Sequence, residues 1–183
     1  HGHFLPTIKE HEVNASNMGI LNSDYIVIYC NSDLISSCRA WFQFIYFGHD
    51  PKLVSVLNGG LKKWKLENRE ITNRKSKIIP STYVAKENVN MIKTKSQIDE
   101  NINKKKFTIL DARSKNRFLG LESEPRPGIK SGSIKESKSL PLNEIVNMED
   151  NTFLNTKKLR DIFNSSGISS NKIVMSCGSS VSA

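Results

Sequence analysis

The chain repeats itself once, and that repeat constrains the fold more than any other feature. Phe4 aligns with Phe153, Gly19-Ile20 with Gly167-Ile168, and Cys30 with Cys177, at a nearly constant spacing of 147–149 residues. Each copy reads as a helix, a Gly-Ile stop, a polar turn, an apolar strand and then a cysteine. In the second copy Leu159, Ile162 and Phe163 fall at i, i+3 and i+4, one face of a helix. Asn155 or Thr156 is placed to cap its start and Gly167 suits its end. The strand 172–176 comes next. Strands alternating with helices at this spacing predict an α/β fold, with a parallel sheet flanked by helices.

The copies differ beyond the cysteine. After Cys30 come a helix near Ser36–Phe47, a strand at Leu53–Leu57, a Gly59-Gly60 turn and a helix at Leu61–Glu67. After Cys177 only six residues remain. The expected organisation is therefore two tandem domains, both incomplete. Residues 1–70 read as the C-terminal half of one. Residues 71–90, polar and containing Pro80, read as a linker. Residues 91–183 read as the N-terminal part of the other, with a helix near Lys95–Ile102 and a strand at Phe107–Leu110 leading into Asp111. Halved domains are expected to expose apolar sheet surface and to fold poorly alone.

Composition narrows the function. The net charge of +9 arises from scattered lysines with two clusters, Lys62/Lys63/Lys65 and Lys104/Lys105/Lys106. Neither is interleaved with aromatic rings, so both read as solvated faces and no nucleic-acid partner is expected. No apolar run reaches the length of a membrane span. Three cysteines without a CxxC pair disfavour a disulfide scaffold or a four-ligand zinc site and favour a reducing compartment. His1, His3 and His11 are not expected to hold a metal, and no cofactor is expected. The chain opens with His1 and shows no secretory leader; cytoplasmic and mitochondrial locations stay open.

Cys177 opens a stretch of small residues, Gly178, Ser179, Ser180, Val181, Ser182 and Ala183, directly after a strand. Such a turn can aim several backbone N–H groups at one point and lower the pKa of a thiol there. The same pattern also fits a small thiol ending a core strand, and the sequence leaves both readings open. Asp111 ends a strand as well and is expected near Cys177. Arg117 and Arg126 lie on a loop stiffened by Pro125 and Pro127. They suit a carboxylate or another oxyanion, or else ion pairs with Glu122 and Glu124.

These segments together resemble the tandem rhodanese-domain sulfurtransferases, most closely the mercaptopyruvate type. The resemblance rests on His3-Phe4-Leu5-Pro6, on Cys38-Arg39-Ala40-Trp41 through Phe47-Gly48-His49, and on Val54 through Leu61 with Trp64. It continues in Leu110-Asp111-Ala112-Arg113 with Arg117-Phe118, in Glu124-Pro125-Arg126-Pro127-Gly128, and in the closing cysteine loop. It implies a sulfurtransferase in which Cys177 takes sulfur from 3-mercaptopyruvate as a persulfide and hands it to a thiol, such as thioredoxin, or to cyanide. By the same resemblance Arg117 and Arg126 hold the small anionic donor, Ser179 and His3 handle protons, and Gly178, Ser180 and Val181 complete the substrate loop. The neutral Gly178 and Ser179 favour mercaptopyruvate over thiosulfate, whose enzymes carry basic residues there. Ala183 departs from the arginine of the related phosphatase loop.

Two departures from the pattern, at Ser180 and in the segment 132–137, keep a catalytically degenerate binding module as the alternative. Ser180 replaces a loop glycine. The segment 132–137 reads Gly-Ser-Ile-Lys-Glu-Ser where the family resembles G-H-I-P-G-A. Cys30 stands where the inactive domain usually has Asp, without a small-residue loop after it. Cys38, on a helix, is expected to pack.

Overall fold

A computed structural model describes residues 4–32, 34–168, 172–179, 181 and 183. The chain divides into two compact units, one running to Met91 and including Asp150–Thr152, the other formed by Ile92–Glu149 and the residues from Phe153 onward.

The first unit contains α1 (Ile8–Asn17), β1 (Ile26–Ile28), α2 (Ile35–Tyr46), β2 (Val54–Val56) and α3 (Gly60–Leu66). A capping box starts α1: the Thr7 hydroxyl accepts from the Glu10 N–H while the Glu10 carboxylate accepts from the Thr7 N–H at 2.7 Å. After its end Gly19 takes φ +73°, a conformation costly for any side chain. Strands β1 and β2 pair in parallel, Ile26 opposite Val54 and Ile28 opposite Val56. Ala15, Phe44, Val54 and Tyr83 form the core, with Ile20, Ile26, Ile28 and Ala85 packed against them. The segment 71–90 carries no strand or helix before Val89. Part of it lies on this unit as a strap: Ser81 N–H donates to the Ser16 carbonyl, Lys86 N–H to Phe47 and Asn88 N–H to Tyr46. The strap delivers Tyr83, 2% exposed, into the core.

The second unit contains α4 (Lys95–Lys104), β3 (Thr108–Asp111), α5 (Lys115–Phe118), β4 (Lys138–Ser139) and β5 (Val146–Asn147). After β6 (Thr152–Phe153), which bridges the boundary in sequence, come α6 (Thr156–Ser165) and β7 (Ile173–Ser176). A second capping box, Thr94 with Gln97, starts α4. Asn155 caps α6 by accepting from Lys158 N–H, and Gly167 at φ +67° matches Gly19 of the first copy. The sheet runs β4-β3-β7, all parallel. The central strand β3 is the most buried, with Ile109 at 2% and Leu110 at 0% exposure.

The α/β character with parallel pairing matches the expectation, and α2, α3, α4, β2, β3 and β7 fall within about two residues of the segments read from the sequence. The short α5, β4, β5 and β6 were not anticipated: two to four residues are too few to show a period. Among the described residues no helix is long and apolar enough to cross a membrane.

Candidate active site

The parallel register sets the site. Asp111 pairs with Ser176 across β3 and β7, and Ala112 N–H donates to the Ser176 carbonyl at 2.8 Å. The strand direction thus delivers Cys177, the next residue, to the carboxyl end of the sheet, where ligand sites of open α/β sheets gather. Cys177 is half-buried.

Asp111 is 2% exposed and accepts everything it needs from one residue. Its Oδ1 takes Arg113 N–H at 3.0 Å and Arg113 Nε at 3.0 Å, and its Oδ2 takes Arg113 Nη2 at 2.7 Å. Arg113 Nη2 also donates to the Gly132 carbonyl at 2.7 Å, and Nη1 to Glu124 Oε1 at 2.6 Å. Glu124 in turn accepts from Arg117 Nε at 3.1 Å, and its second oxygen takes Arg117 Nη2. The carboxylate of Glu124 therefore bridges the two guanidiniums.

The side chains of Asp111, Arg113, Glu124 and Arg117 are 3%, 10%, 2% and 20% exposed. The hydrogen bonds from Arg117 hold the Glu124 carboxyl below its ordinary pKa despite burial, so it is ionised at neutral pH. The same bonds raise the Arg117 pKa, and those that Arg113 donates to Asp111 raise its own.

Arg117 reaches the cysteine loop. A Cβ at position 178 would stand 2.5 Å from Arg117 Nη2 and 3.6 Å from Glu124 Oε2. Only glycine lets the guanidinium lie against the backbone directly after Cys177. The helix α5, capped by Ser114, carries Arg117 to that place.

Of the two readings of Arg117, the ion pair with Glu124 is present, and it coexists with an approach to the cysteine loop. Arg126 is half-buried and has no carboxylate partner among the described residues. Ser179 and Val181 are half-buried beside the cysteine. His3 and Ser180 lie outside the described residues. Cys30 lies just after β1 and its carbonyl accepts from Leu61 N–H at 3.0 Å; Cys38 lies in α2. His49 is buried in the first unit, with Nδ1 3.1 Å from the Tyr83 hydroxyl and Nε2 3.0 Å from the Asp24 carbonyl.

The Arg117–Glu124 pair was one of the two readings left open, whereas the second guanidinium on Glu124, that of Arg113, was missed from the sequence. Its one signal was the acidic residue directly before Pro125, four residues after a glycine turn at Gly120, where a loop can fold back on its own helix. Among the described residues no group of three or more His, Cys, Asp or Glu side chains is arranged to hold a metal.

Residues 3–67 match the rhodanese-like domain family. The 3-mercaptopyruvate sulfurtransferase of Rattus norvegicus is 34% identical over 184 residues, covering 99% of this chain and 61% of the relative. The thiosulfate sulfurtransferase of Mus musculus is also 34% identical, covering 98% and 61%. The chain thus spans about three fifths of the length of these relatives. Among solved structures, SseA from Escherichia coli, described with the rhodanese fold of 3-mercaptopyruvate sulfotransferases, superposes with a TM-score of 0.84 at 26% identity, covering 98% of this chain and 66% of that one. Over residues 3–67 the chain is thus similar to the rhodanese-like domain family, and along nearly its whole length it is similar to part of the 3-mercaptopyruvate and thiosulfate sulfurtransferases.

Proposed function

We propose that this chain is part of a sulfurtransferase that moves sulfur from 3-mercaptopyruvate, or less readily thiosulfate, to a thiol or cyanide through Cys177. The observation that carries the reading is the Arg117 guanidinium lying against Gly178, directly after a cysteine at the carboxyl end of a parallel strand. An anion held there would lie against the backbone that directly follows the cysteine.

In the first step the Cys177 thiolate attacks the donor sulfur. The S–S bond forms as the C–S bond breaks, and the electron pair leaves with pyruvate as its enolate, which takes a proton. Cys177 is left as a persulfide. Arg117 and Arg126 hold the donor carboxylate and carbonyl, so the leaving group departs next to positive charge. Ser179 and His3 carry the proton, and Gly178, Ser180 and Val181 complete the substrate loop. In the second step an acceptor thiolate attacks the outer sulfur; the S–S bond to Cys177 breaks and the Cys177 thiolate returns. A small thiol or a protein dithiol such as thioredoxin serves as acceptor.

The same reading places the chain across two tandem domains, with residues 71–90 between them and the chemistry in the second. It fits a cytoplasmic or a mitochondrial enzyme.

A second reading, a degenerate binding module, draws on one observation. Glu136 takes φ +66° where the resembling family carries glycine, so the altered segment 132–137 is strained. Intact mass of the natural full-length protein after brief exposure to 3-mercaptopyruvate separates the two. A one-sulfur gain mapped to Cys177, with pyruvate released and both lost in Cys177→Ser, is the expected result. A folded protein that gains no sulfur from either donor overturns the transferase and leaves the binding module.

A further inference from the structure

We propose that Glu124 sets the charge of the donor: by neutralising Arg117 it tunes the site to singly charged donors over doubly charged ones. This rests on the sulfurtransferase reading and goes beyond it, because it assigns donor selectivity to a residue that touches no donor atom.

The argument is one of charge balance in a water-poor place. Two carboxylates, Asp111 and Glu124, and two guanidiniums, Arg113 and Arg117, are joined by hydrogen bonds of 2.5–3.1 Å and are largely withdrawn from solvent, Arg117 the least so. Their formal charges cancel. Glu124 is ionised, held so by both arginines. Its Oε2 stands 3.6 Å from where a Cβ at Gly178 would be, so it shares the anion site with Arg117. Gly178, Ser179 and Val181 add no charge to the cysteine loop. Of the two arginines assigned to the donor, only Arg126 is left without a carboxylate partner among the described residues.

One uncompensated guanidinium matches one carboxylate. A donor bearing a second negative charge meets the Glu124 carboxylate across Arg117 and gains nothing for that charge. At an effective dielectric of about 20, one unit charge about 10 Å away shifts a binding constant by about tenfold, and a nearer one by more. Donor choice therefore responds to Glu124 even though Glu124 acts only through Arg117. It is a positioning residue with an electrostatic consequence.

A merely structural Glu124 predicts something different. If it only holds Arg117 in place, its loss weakens every donor alike. The discriminating quantity is the ratio of kcat/KM for 3-mercaptopyruvate to that for thiosulfate, measured on the natural full-length protein. Partial misfolding lowers both activities and leaves the ratio unchanged.

The expected result is that Glu124→Gln lowers this ratio about tenfold, while Glu124→Asp, which keeps the charge, retains it. Glu122→Gln, which removes an exposed carboxylate that acts on Arg117 through space more weakly than Glu124 and bonds Ser114 instead, lowers it less than Glu124→Gln does. An unchanged ratio in an active Glu124→Gln protein overturns the proposal and leaves the transferase reading intact. A Cys177→Ser protein that still gains sulfur overturns the transferase reading instead. Should Glu124→Gln fail to fold, the unaltered protein carries the test. At equal ionic strength, monoanionic pyruvate is expected to compete for the site better than dianionic sulfate, and equal or stronger competition by sulfate overturns the proposal.

Discussion

At the residue scale, burial decides what each polar group does. His11 is 2% exposed, stacked on Phe47 with ring centroids 4.3 Å apart and edge-on to Phe44 and Tyr83. Its Nδ1 lies 3.1 Å from Gln43 Nε2, and its Nε2 is buried with no hydrogen-bond partner among the described residues. Desolvation lowers its pKa; Glu12 opposes the shift and His49 adds to it. An imidazole that resists protonation when folded, but not when unfolded, gives stability a definite pH slope. Above the ordinary histidine pKa both states are neutral and nothing is lost. Below about pH 6.5 the unfolded chain binds the proton first, and stability falls by up to about 1.4 kcal/mol per pH unit. Denaturant melts between pH 7.5 and 5.5 are expected to show this loss. His11→Phe, which keeps the stacking and cannot titrate, is expected to flatten it, and an unchanged slope in that variant would refute the assignment. The neighbouring Tyr83 hydroxyl, pushed up to about 12 by burial, stays neutral throughout.

At the element scale, short segments hold the site and one of them is strained. α5 contributes four residues, yet it carries Arg117 to Gly178. The next loop returns through Glu124 and is tied by Arg113 to the Gly132 carbonyl. Beyond Gly132 the chain passes through Glu136 at φ +66° before joining β4. A side chain in that conformation costs about 1–2 kcal/mol, and glycine gives back part of the gain as unfolded-state entropy. The Lys105–Glu136 pair, 3.5 Å apart and exposed, contributes little. Glu136→Gly is therefore expected to raise stability by about 0.5–1 kcal/mol, read as a higher denaturation midpoint at unchanged slope; a lower midpoint would show that the residue serves the fold in another way.

At the scale of the whole molecule, each unit leaves apolar surface uncovered. Ile26 and Ile28 pack into the first core, while Tyr25, Val27 and Tyr29, which alternate with them, are 62%, 53% and 58% exposed. In the second unit Ile173 and Met175 of the edge strand β7 are each 40% exposed. Apolar residues repeated along one strand face attract other surfaces. The 183-residue polypeptide expressed by itself is expected to bind an apolar fluorescent dye and to associate as concentration rises. A monomer that binds no dye at high concentration would contradict this.

Much of this architecture was readable in advance. The repeat, the periodicity of α6, the Gly19 and Gly167 stops and the small-residue loop after Cys177 are local signals, written in neighbouring residues because backbone conformation and helix faces depend on near spacing. The candidate residues Cys177, Arg117 and Asp111 could be named on the same basis. What the sequence could not rank was the partners of Arg117. That choice depends on Gly178, Glu124 and Arg113, which come from three separate segments, and on a register that sets Asp111 beside Ser176. The strap residue Tyr83 was hidden for the same reason, since nothing in a polar stretch marks which ring will be buried. The kinds of the longer elements and the candidate residues they carry were determined by the sequence itself. The charge balance at the site and the filling of the first core were decided by tertiary structure, because desolvation and ion pairing act between groups that only folding brings together.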